Sequence, residues 1–196
     1  MRTVRNLAPA LCLVALAVLS AAAAAQLHAP REIRFTAYTT GYGHHDNTPA
    51  GDRISHASVH GVAGGTGTHR DPITLAVGHS IVDGNDVLDY PAGTRFYIPS
   101  LRKYFVVEDS CGDGSTPQDG PCHIRFEGLV WLDLWVGGAS ASRSATYACE
   151  VAITGKRLVI QHPAANYAVV AGPILGDTCA TLHGDGDIAL GEAAGE

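Results

Sequence analysis

Beyond residue 25, no apolar stretch runs for more than a handful of residues before a glycine, a proline or a polar turn interrupts it. The short runs that remain are rich in Val, Ile, Tyr and Phe, residues that fit a pleated, half-buried surface better than a helix. Segments of this kind span 33–38, 73–77, 95–98, 104–108, 130–135, 148–153 and 157–161, each close to ordinary strand length. Turn residues separate them: Tyr90-Pro91-Ala92-Gly93, Pro99-Ser100, the Gly- and Pro-rich stretch 112–121, and Thr154-Gly155-Lys156, which predicts a hairpin between the last two strands. Helix is expected only in short pieces near 78–88 and 139–147. Several short strands in one compact domain predict a mainly β protein built on a barrel. Residues 41–72 show little periodicity and read as a long loop, ordered by Tyr42, Ile54, Val59 and Val62 and bent at Gly64-Gly65-Thr66-Gly67.

The amino terminus reads differently. Arg2 and Arg5 precede an apolar run from Leu7 to Leu19, and an alanine tract closes at Ala25. This is the pattern of a secretory signal peptide over 1–25, too short to span a bilayer, with cleavage expected before Gln26. One domain over 26–180 and a flexible acidic tail over 181–196 complete the expected organisation. Asp185 and Asp187 between glycines resemble half of a calcium loop but lack the rest of the twelve-residue pattern, so no metal is expected there. The reading is a secreted, extracellular monomer with no membrane contact after cleavage and no cofactor. The whole chain carries 13 basic and 19 acidic residues, and the leader removes two of the arginines, which argues against nucleic acid as a partner.

Cys12 leaves with the leader, and Cys111, Cys122, Cys149 and Cys179 remain. An even set in an exported chain predicts two disulfides, and spacing favours Cys111–Cys122 and Cys149–Cys179 among three possible pairings.

Three segments combine strand character with ionisable groups. In Trp131-Leu132-Asp133-Leu134-Trp135, alternation places Trp131, Asp133 and Trp135 on one face, so a carboxyl lies between two indoles. Aromatic rings are platforms for sugar rings, and a partly desolvated carboxyl beside them stays protonated as a general acid. In the segment ending Glu108-Asp109-Ser110, alternation allows only one of the two carboxylates to face a cleft, and Asp109 is favoured. The third segment, Tyr42-Gly43-His44-His45-Asp46, supplies the one local histidine cluster. The remaining histidines follow no metal-binding spacing, and no metal is expected.

The order of the segments "PAGTRFYIP" (91–99), "YFVVEDSCGD" (104–113) and "WLDLWVGG" (131–138), preceded by Phe35-Thr36-Ala37-Tyr38, resembles the double-psi β-barrel superfamily. That superfamily includes lytic transglycosylases, expansins and family 45 endoglucanases. The resemblance implies a six-stranded double-psi barrel with long decorating loops. It implies Asp133 as the catalytic acid, Asp109 as a supporting carboxylate in the same cleft, and Asp46 as a loose match to the family 45 base. His79 stands where a third aspartate is expected in the transglycosylase-like group. Tyr42, Trp131, Trp135, His44 and His79 are the expected substrate-binding residues. The expected activity is cleavage of cell-wall polysaccharide, with peptidoglycan as the nearer match. The alternatives are a β-1,4-glucan endoglucanase and a non-hydrolytic, expansin-like wall-binding protein.

Overall fold

A computed structural model describes residues 30–184. The leader with its cleavage point and the Asp185/Asp187 segment lie outside the described residues. Six strands close a barrel: β1 (Ile33–Gly43), β2 (Ile73–Val77), β5 (Arg95–Ile98), β6 (Lys103–Ser110), β7 (Trp131–Gly137) and β8 (Gly155–Gln161), in the spatial order β1-β7-β2-β6-β5-β8. β1 runs parallel to β7 and β2 parallel to β6, while the other four neighbouring pairs are antiparallel. Exchanging β1, β2 and β5 with β6, β7 and β8 maps this ring onto itself, directions included. The barrel therefore consists of two topologically equivalent three-strand halves.

Strand alternation sorts the side chains. Ala37, Ile73, Leu75, Val77, Phe105, Val107, Leu132 and Leu134 pack into one core. Their neighbours in sequence point outward, yet β2 is buried at every position, because the loop over 44–72 covers its outer face. The loop is held by Glu108, a fully buried carboxylate. Its Oε1 accepts hydrogen bonds from the backbone N–H groups of Ser58, Val59 and His60, and its Oε2 accepts from His60 Nδ1 (2.6 Å) and Thr74 Oγ1 (3.1 Å). His60 Nε2 meets Asp71 Oδ1 at 3.0 Å.

The remaining elements differ in part from the sequence expectation. Residues 148–153 do not form a strand; they end helix α2 (Arg143–Ile153), capped by the Ser142 side chain, which accepts from Ala145 N. The helical signal is the buried set Thr146, Cys149, Glu150 and Ile153, spaced as one helix face, whereas the strand-like Tyr147 and Val151 are exposed. The expected hairpin at Gly155 is accordingly a helix-to-strand junction. The expected helical turn near 78–88 is a hairpin, β3 (His79–Val82) and β4 (Asn85–Leu88), turned by Asp83 and Gly84 at φ of 51° and 79°. β1 extends to Gly43, past its expected end, because its parallel pairing with β7 continues to Gly43 opposite Gly137, and α2 packs closely against this extension. A Cβ on Gly41 would lie 2.9 Å from Val136 Cγ1 and 3.0 Å from Glu150 Cα. A four-residue helix, α1 (Pro121–Ile124), completes the secondary structure among the described residues, with a 3₁₀ turn at Pro117–Asp119. None of these helices is long and apolar enough to cross a membrane.

Both expected disulfides are present, Cys111–Cys122 and Cys149–Cys179, with Cα separations of 6.5 and 5.3 Å. The second ties α2 to the segment after β8, which is also fixed along its length. Tyr104 Oη donates to Ala164 O and accepts from Tyr167 N, Tyr97 Oη donates to Ala168 O, and buried Lys103 Nζ donates to Val170 O and Gly172 O. His183 N still reaches Ser100 O, so the start of the acidic tail is attached.

Burial works to raise the Glu108 pKa, but the His60 side chain and the backbone N–H groups outweigh it and hold the carboxyl below its ordinary value. Burial works to lower His60, and its bonds to Glu108 and Asp71 raise it instead. Glu108 therefore contributes fully above the carboxylate range and is lost as pH falls through its lowered value. His60 contributes fully below its ordinary 6.5 and fades as pH rises through its raised value. Urea midpoints are expected to peak between these limits. Glu108→Gln is expected to cost about 3 kcal/mol or more and to open residues 44–72 to proteolysis. An unchanged urea midpoint would contradict this role.

Candidate active site

Four residues line up across the outer face of the barrel. β1 places Thr40 opposite Asp133 of β7, β2 places Ala76 opposite the same Asp133, and β6 places Asp109 opposite Ala76. Neighbouring strand partners share a face, so Asp133 and Asp109 look outward on either side of a small alanine. Simple alternation would turn Asp109 inward. The register shifts between Leu75 and Ala76, where Val107 and Asp109 are the successive partners, so Glu108 is the extra residue of a β-bulge. Both adjacent carboxylates thereby face the covering loop, which corrects the expectation that only one could.

Asp133 is half-buried, and Oδ1 accepts a 2.6 Å hydrogen bond from Thr40 Oγ1, which itself accepts from Trp131 Nε1 at 2.7 Å. Desolvation raises the Asp133 pKa to about 7; the Thr40 bond opposes the rise, and the charges of Asp46, Asp109 and Asp113 add to it. The group is thus poised to carry a proton at neutral pH.

Asp109 is buried and saturated with donors. Tyr42 Oη donates to Oδ2 at 3.0 Å, while Ser55 N, Ser55 Oγ and Ser110 N donate to Oδ1 at 3.0, 2.8 and 3.0 Å. Burial first, then the charges of Asp109 and Asp133, hold the Tyr42 pKa far above its ordinary value, so its hydroxyl remains a donor. Ser55, His56 and Asp86 superficially suggest a nucleophilic triad. The single Ser55 hydroxyl proton is committed to Asp109, so His56 Nδ1, at 2.9 Å, donates to Ser55 rather than accepting from it.

The other expected residues distribute around this row. Trp131 is half-buried beside Tyr38, whose ring stacks on Phe126. Trp135 is only 5% exposed and packs edge-on against Tyr42, so it buttresses that ring from behind instead of offering a surface. His44 Nδ1 pairs with Asp52 Oδ1 at 2.6 Å. His79 is buried and held from both ring nitrogens, by Asp86 Oδ1 at 2.6 Å and by the Cys111 carbonyl at 3.0 Å, which makes it a brace for the hairpin and the disulfide loop. Asp46 Oδ2 accepts from Gly43 N at 2.6 Å, and its carboxyl faces that of Glu150 on α2. Burial, then the bond and charge of Asp46, push Glu150 up to about 8. Sequence reasoning did not single out Thr40, Ser55 or Glu150. Glu150 was legible only through the helical spacing of the Thr146–Ile153 face.

A pocket of about 390 Å³ lies against Asp109, walled by residues 47–55, and a second of about 460 Å³ lies between α2 and the turn after β1. Among the described residues, the one cluster with metal-ligand spacing is Cys111, Asp113 and Cys122, and its sulfurs are already joined as a disulfide.

The domain so defined, a closed mixed barrel with carboxyls on its outer face, matches a recognised family over residues 34–180. The chain belongs to the family described as the DDB_G0273701 N-terminal domain. It is similar to a Dictyostelium discoideum protein described as "Uncharacterized protein DDB_G0273701/DDB_G0273221", with 32% identity over 154 residues, covering 78% of this chain. The match spans 59% of that protein's length. No solved structure matches the chain.

Removal of the Thr40 hydroxyl should show which bond restrains Asp133. Thr40→Val is expected to raise the Asp133 midpoint above about 7, read from the carboxyl carbon resonance during a pH titration. A midpoint that falls or stays fixed would refute the assignment.

Proposed function

We propose that this protein is a secreted enzyme that cleaves cell-wall polysaccharide, with Asp133 as its general acid and peptidoglycan as its first candidate substrate. The observation that carries this reading is the half-buried Asp133 carboxyl on the outer side of β7, linked through Thr40 to Trp131 and close enough to Tyr42 to act on it electrostatically, with its pKa raised to about 7 so that it can give up a proton near neutral pH. The ring of two equivalent halves with two parallel strand pairs, together with the ordered motifs over 91–138, supports a double-psi assignment. The two disulfides are compatible with an extracellular protein and fit the leader-like amino terminus. We further propose that the enzyme acts as a monomer, without cofactor, nucleic acid or membrane.

In the proposed reaction, Asp133 gives its proton to the glycosidic oxygen as the C–O bond breaks. The nucleophile is water, or an internal sugar hydroxyl in a lytic-transglycosylase type of reaction. The four donors on Asp109 make it a positioning group for Tyr42 and Ser55 rather than a base. Asp46 is the remaining carboxylate for water activation. An inverting mechanism would set it about 6.5–9.5 Å from Asp133.

A second reading, cleavage of β-1,4-glucan, is favoured by the acidity of the cleft. Asp46, Asp109 and Asp113 all act electrostatically on Asp133 and favour an uncharged glycan over an anionic one. The test is incubation of the protein with bacterial walls and with soluble β-glucans, followed by mass spectrometry of released fragments. Muropeptides with anhydro ends would indicate a transglycosylase, muropeptides with reducing ends a hydrolase, and cello-oligosaccharides the second reading. Fragments from neither substrate would leave an expansin-like binding role.

Activity is expected to fall as pH rises through about 7, where Asp133 loses its proton. Asp133→Asn is expected to lower activity by more than about 100-fold. Its melting temperature should hold or rise, because burial penalises the ionised aspartate. Full activity in the variant would reject Asp133 as the acid.

A further inference from the structure

A third pocket, of about 380 Å³, opens where β4 ends and α1 gives way to β7. Asp89, Tyr90, His123 and Arg125 supply its polar wall, and Val130 and the disulfide-bonded Cys122 complete it. Three of these side chains hold donors that nothing else among the described residues employs. The Arg125 guanidinium is exposed and has neither a hydrogen bond nor an ion pair there. The nearest carboxylate along the chain, Glu127, is paired instead with Lys156 at 2.6 Å. Tyr90 packs its ring edge-on against Phe96, and its hydroxyl is likewise without a partner among the described residues. Burial raises the Tyr90 pKa and the charge of Arg125 opposes the rise, as expected of a guanidinium and a hydroxyl that share one pocket. His123 Nδ1 donates to Asp89 Oδ1 at 2.7 Å, which fixes the ring and leaves Nε2 without a partner. The second Asp89 oxygen is turned toward the backbone of Gly78, where an added Cβ would lie 2.5 Å from it.

Arg125 stands in a backbone conformation that disfavours it. Its φ of 75° and ψ of 158° fall in a region that glycine enters freely and that residues with a side chain rarely adopt. Such strain persists where the surroundings enforce it, and it concentrates at positions that bind ligands. A guanidinium fork, a phenolic hydroxyl and an imidazole that gains a second N–H on protonation are together complementary to a small anion. The planar fork matches a carboxylate through two parallel hydrogen bonds. The pocket also connects to the proposed acid. Phe126, next to Arg125, stacks on Tyr38 at 4.1 Å and meets Trp131 edge-on at 6.1 Å, and Trp131 is bonded through Thr40 to Asp133. His123 and Asp133 both interact electrostatically with Asp113.

We propose that this pocket binds one carboxylate carried by the substrate, with Arg125 as its bidentate partner and Tyr90 and His123 as further donors. The proposal rests on the polysaccharide reading of the Asp133 cleft and adds to it the charge of the substrate: a wall glycan whose attached peptide ends in a carboxylate, rather than an uncharged glucan. Asp46, Asp109 and Asp113 disfavour a negative group at the cleft itself. A carboxylate on a side branch of the glycan instead reaches the Arg125 pocket past the rings of Tyr38, Phe126 and Trp131. It fixes the position of the polymer there, while Asp133 acts on an uncharged glycosidic oxygen.

The test uses the full protein and separates binding from cleavage. N-acetylalanine, a small carboxylate, and N-acetylalaninamide, its uncharged counterpart, are titrated to about 100 mM while the His123 ring resonance is followed by nuclear magnetic resonance, with inorganic phosphate as a second anion. A saturable shift is expected with the carboxylate and none with the amide. Arg125→Gln, whose backbone is equally strained, is expected to weaken the response by about tenfold or more. Arg125→Gly is expected to abolish it while raising the melting temperature by about 2–4 °C, because glycine relieves the strain, whereas loss of a purely structural arginine would lower it. In a second arm, bacterial walls are compared before and after their carboxyls are capped as methylamides. The unsubstituted protein is expected to cleave intact walls about tenfold faster than capped ones, and Arg125→Gln to bring that ratio toward one. No response to the carboxylate, a response to phosphate alone, or equal rates on intact and capped walls would overturn the carboxylate site while leaving the polysaccharide reading intact. A response to the carboxylate with no cleavage of walls or glucans would overturn the polysaccharide reading and, with it, the assignment of the carboxylate to a glycan substrate.

Discussion

The buried carboxylate of Glu108 organises the outer face of this barrel. A loop of nearly thirty residues without regular structure should cost considerable conformational entropy to fix against a sheet. Glu108 offsets that cost at one point by collecting backbone N–H groups from Ser58, Val59 and His60, the His60 side chain and the Thr74 hydroxyl. Asp71 holds the far side of the same imidazole and so draws a second stretch of the loop into the network. A charged group with this many partners is stable in the interior only as a complete set, which links the path of the loop to the strands beneath it.

The same residue also shapes the cleft. As the extra residue in β6, Glu108 shifts the register, and the shift turns Asp109 outward toward Tyr42 and Ser55. Asp109 then belongs to the row that runs through Ala76 to Asp133 and Thr40. The character of Asp133 is a property of that neighbourhood. Desolvation and the charges of Asp46, Asp109 and Asp113 favour the proton, while the Thr40 hydroxyl restrains the shift. Division of labour among the carboxyls follows from their donors: Asp109 is engaged by four, whereas Asp133 accepts from Thr40 and Asp46 from Gly43.

Much of this arrangement was legible in the chain. Short strands rich in β-branched and aromatic residues, separated by Gly and Pro turns, specified a small β-barrel, and cysteine spacing specified both disulfides. The alternation in Trp131-Leu132-Asp133-Leu134-Trp135 placed Asp133 on the outward face opposite Leu132 and Leu134. The reading failed where local propensity and tertiary packing disagreed. Tyr147 and Val151 look like strand residues, but they are the exposed side of a helix whose inner face was marked by the spacing of Thr146, Cys149, Glu150 and Ile153. His79 looked available for a cleft, and the fold instead employs both of its ring nitrogens internally. Trp135 has the right chemistry for a sugar platform but lies behind Tyr42.

The sequence by itself determined the class of elements, the cross-links and the outward placement of Asp133, because these depend on spacing along the chain and on intrinsic residue preference. Only the tertiary structure decided which groups share an environment. Strand order places Thr40 beside Asp133 across ninety-three positions and Tyr42 beside Asp109 across sixty-seven. The bulge at Glu108 and the approach of α2 to Gly41 are likewise outcomes of packing between distant segments. A carboxyl's proton affinity depends on burial and on the charges around it, and those are quantities of space rather than of sequence.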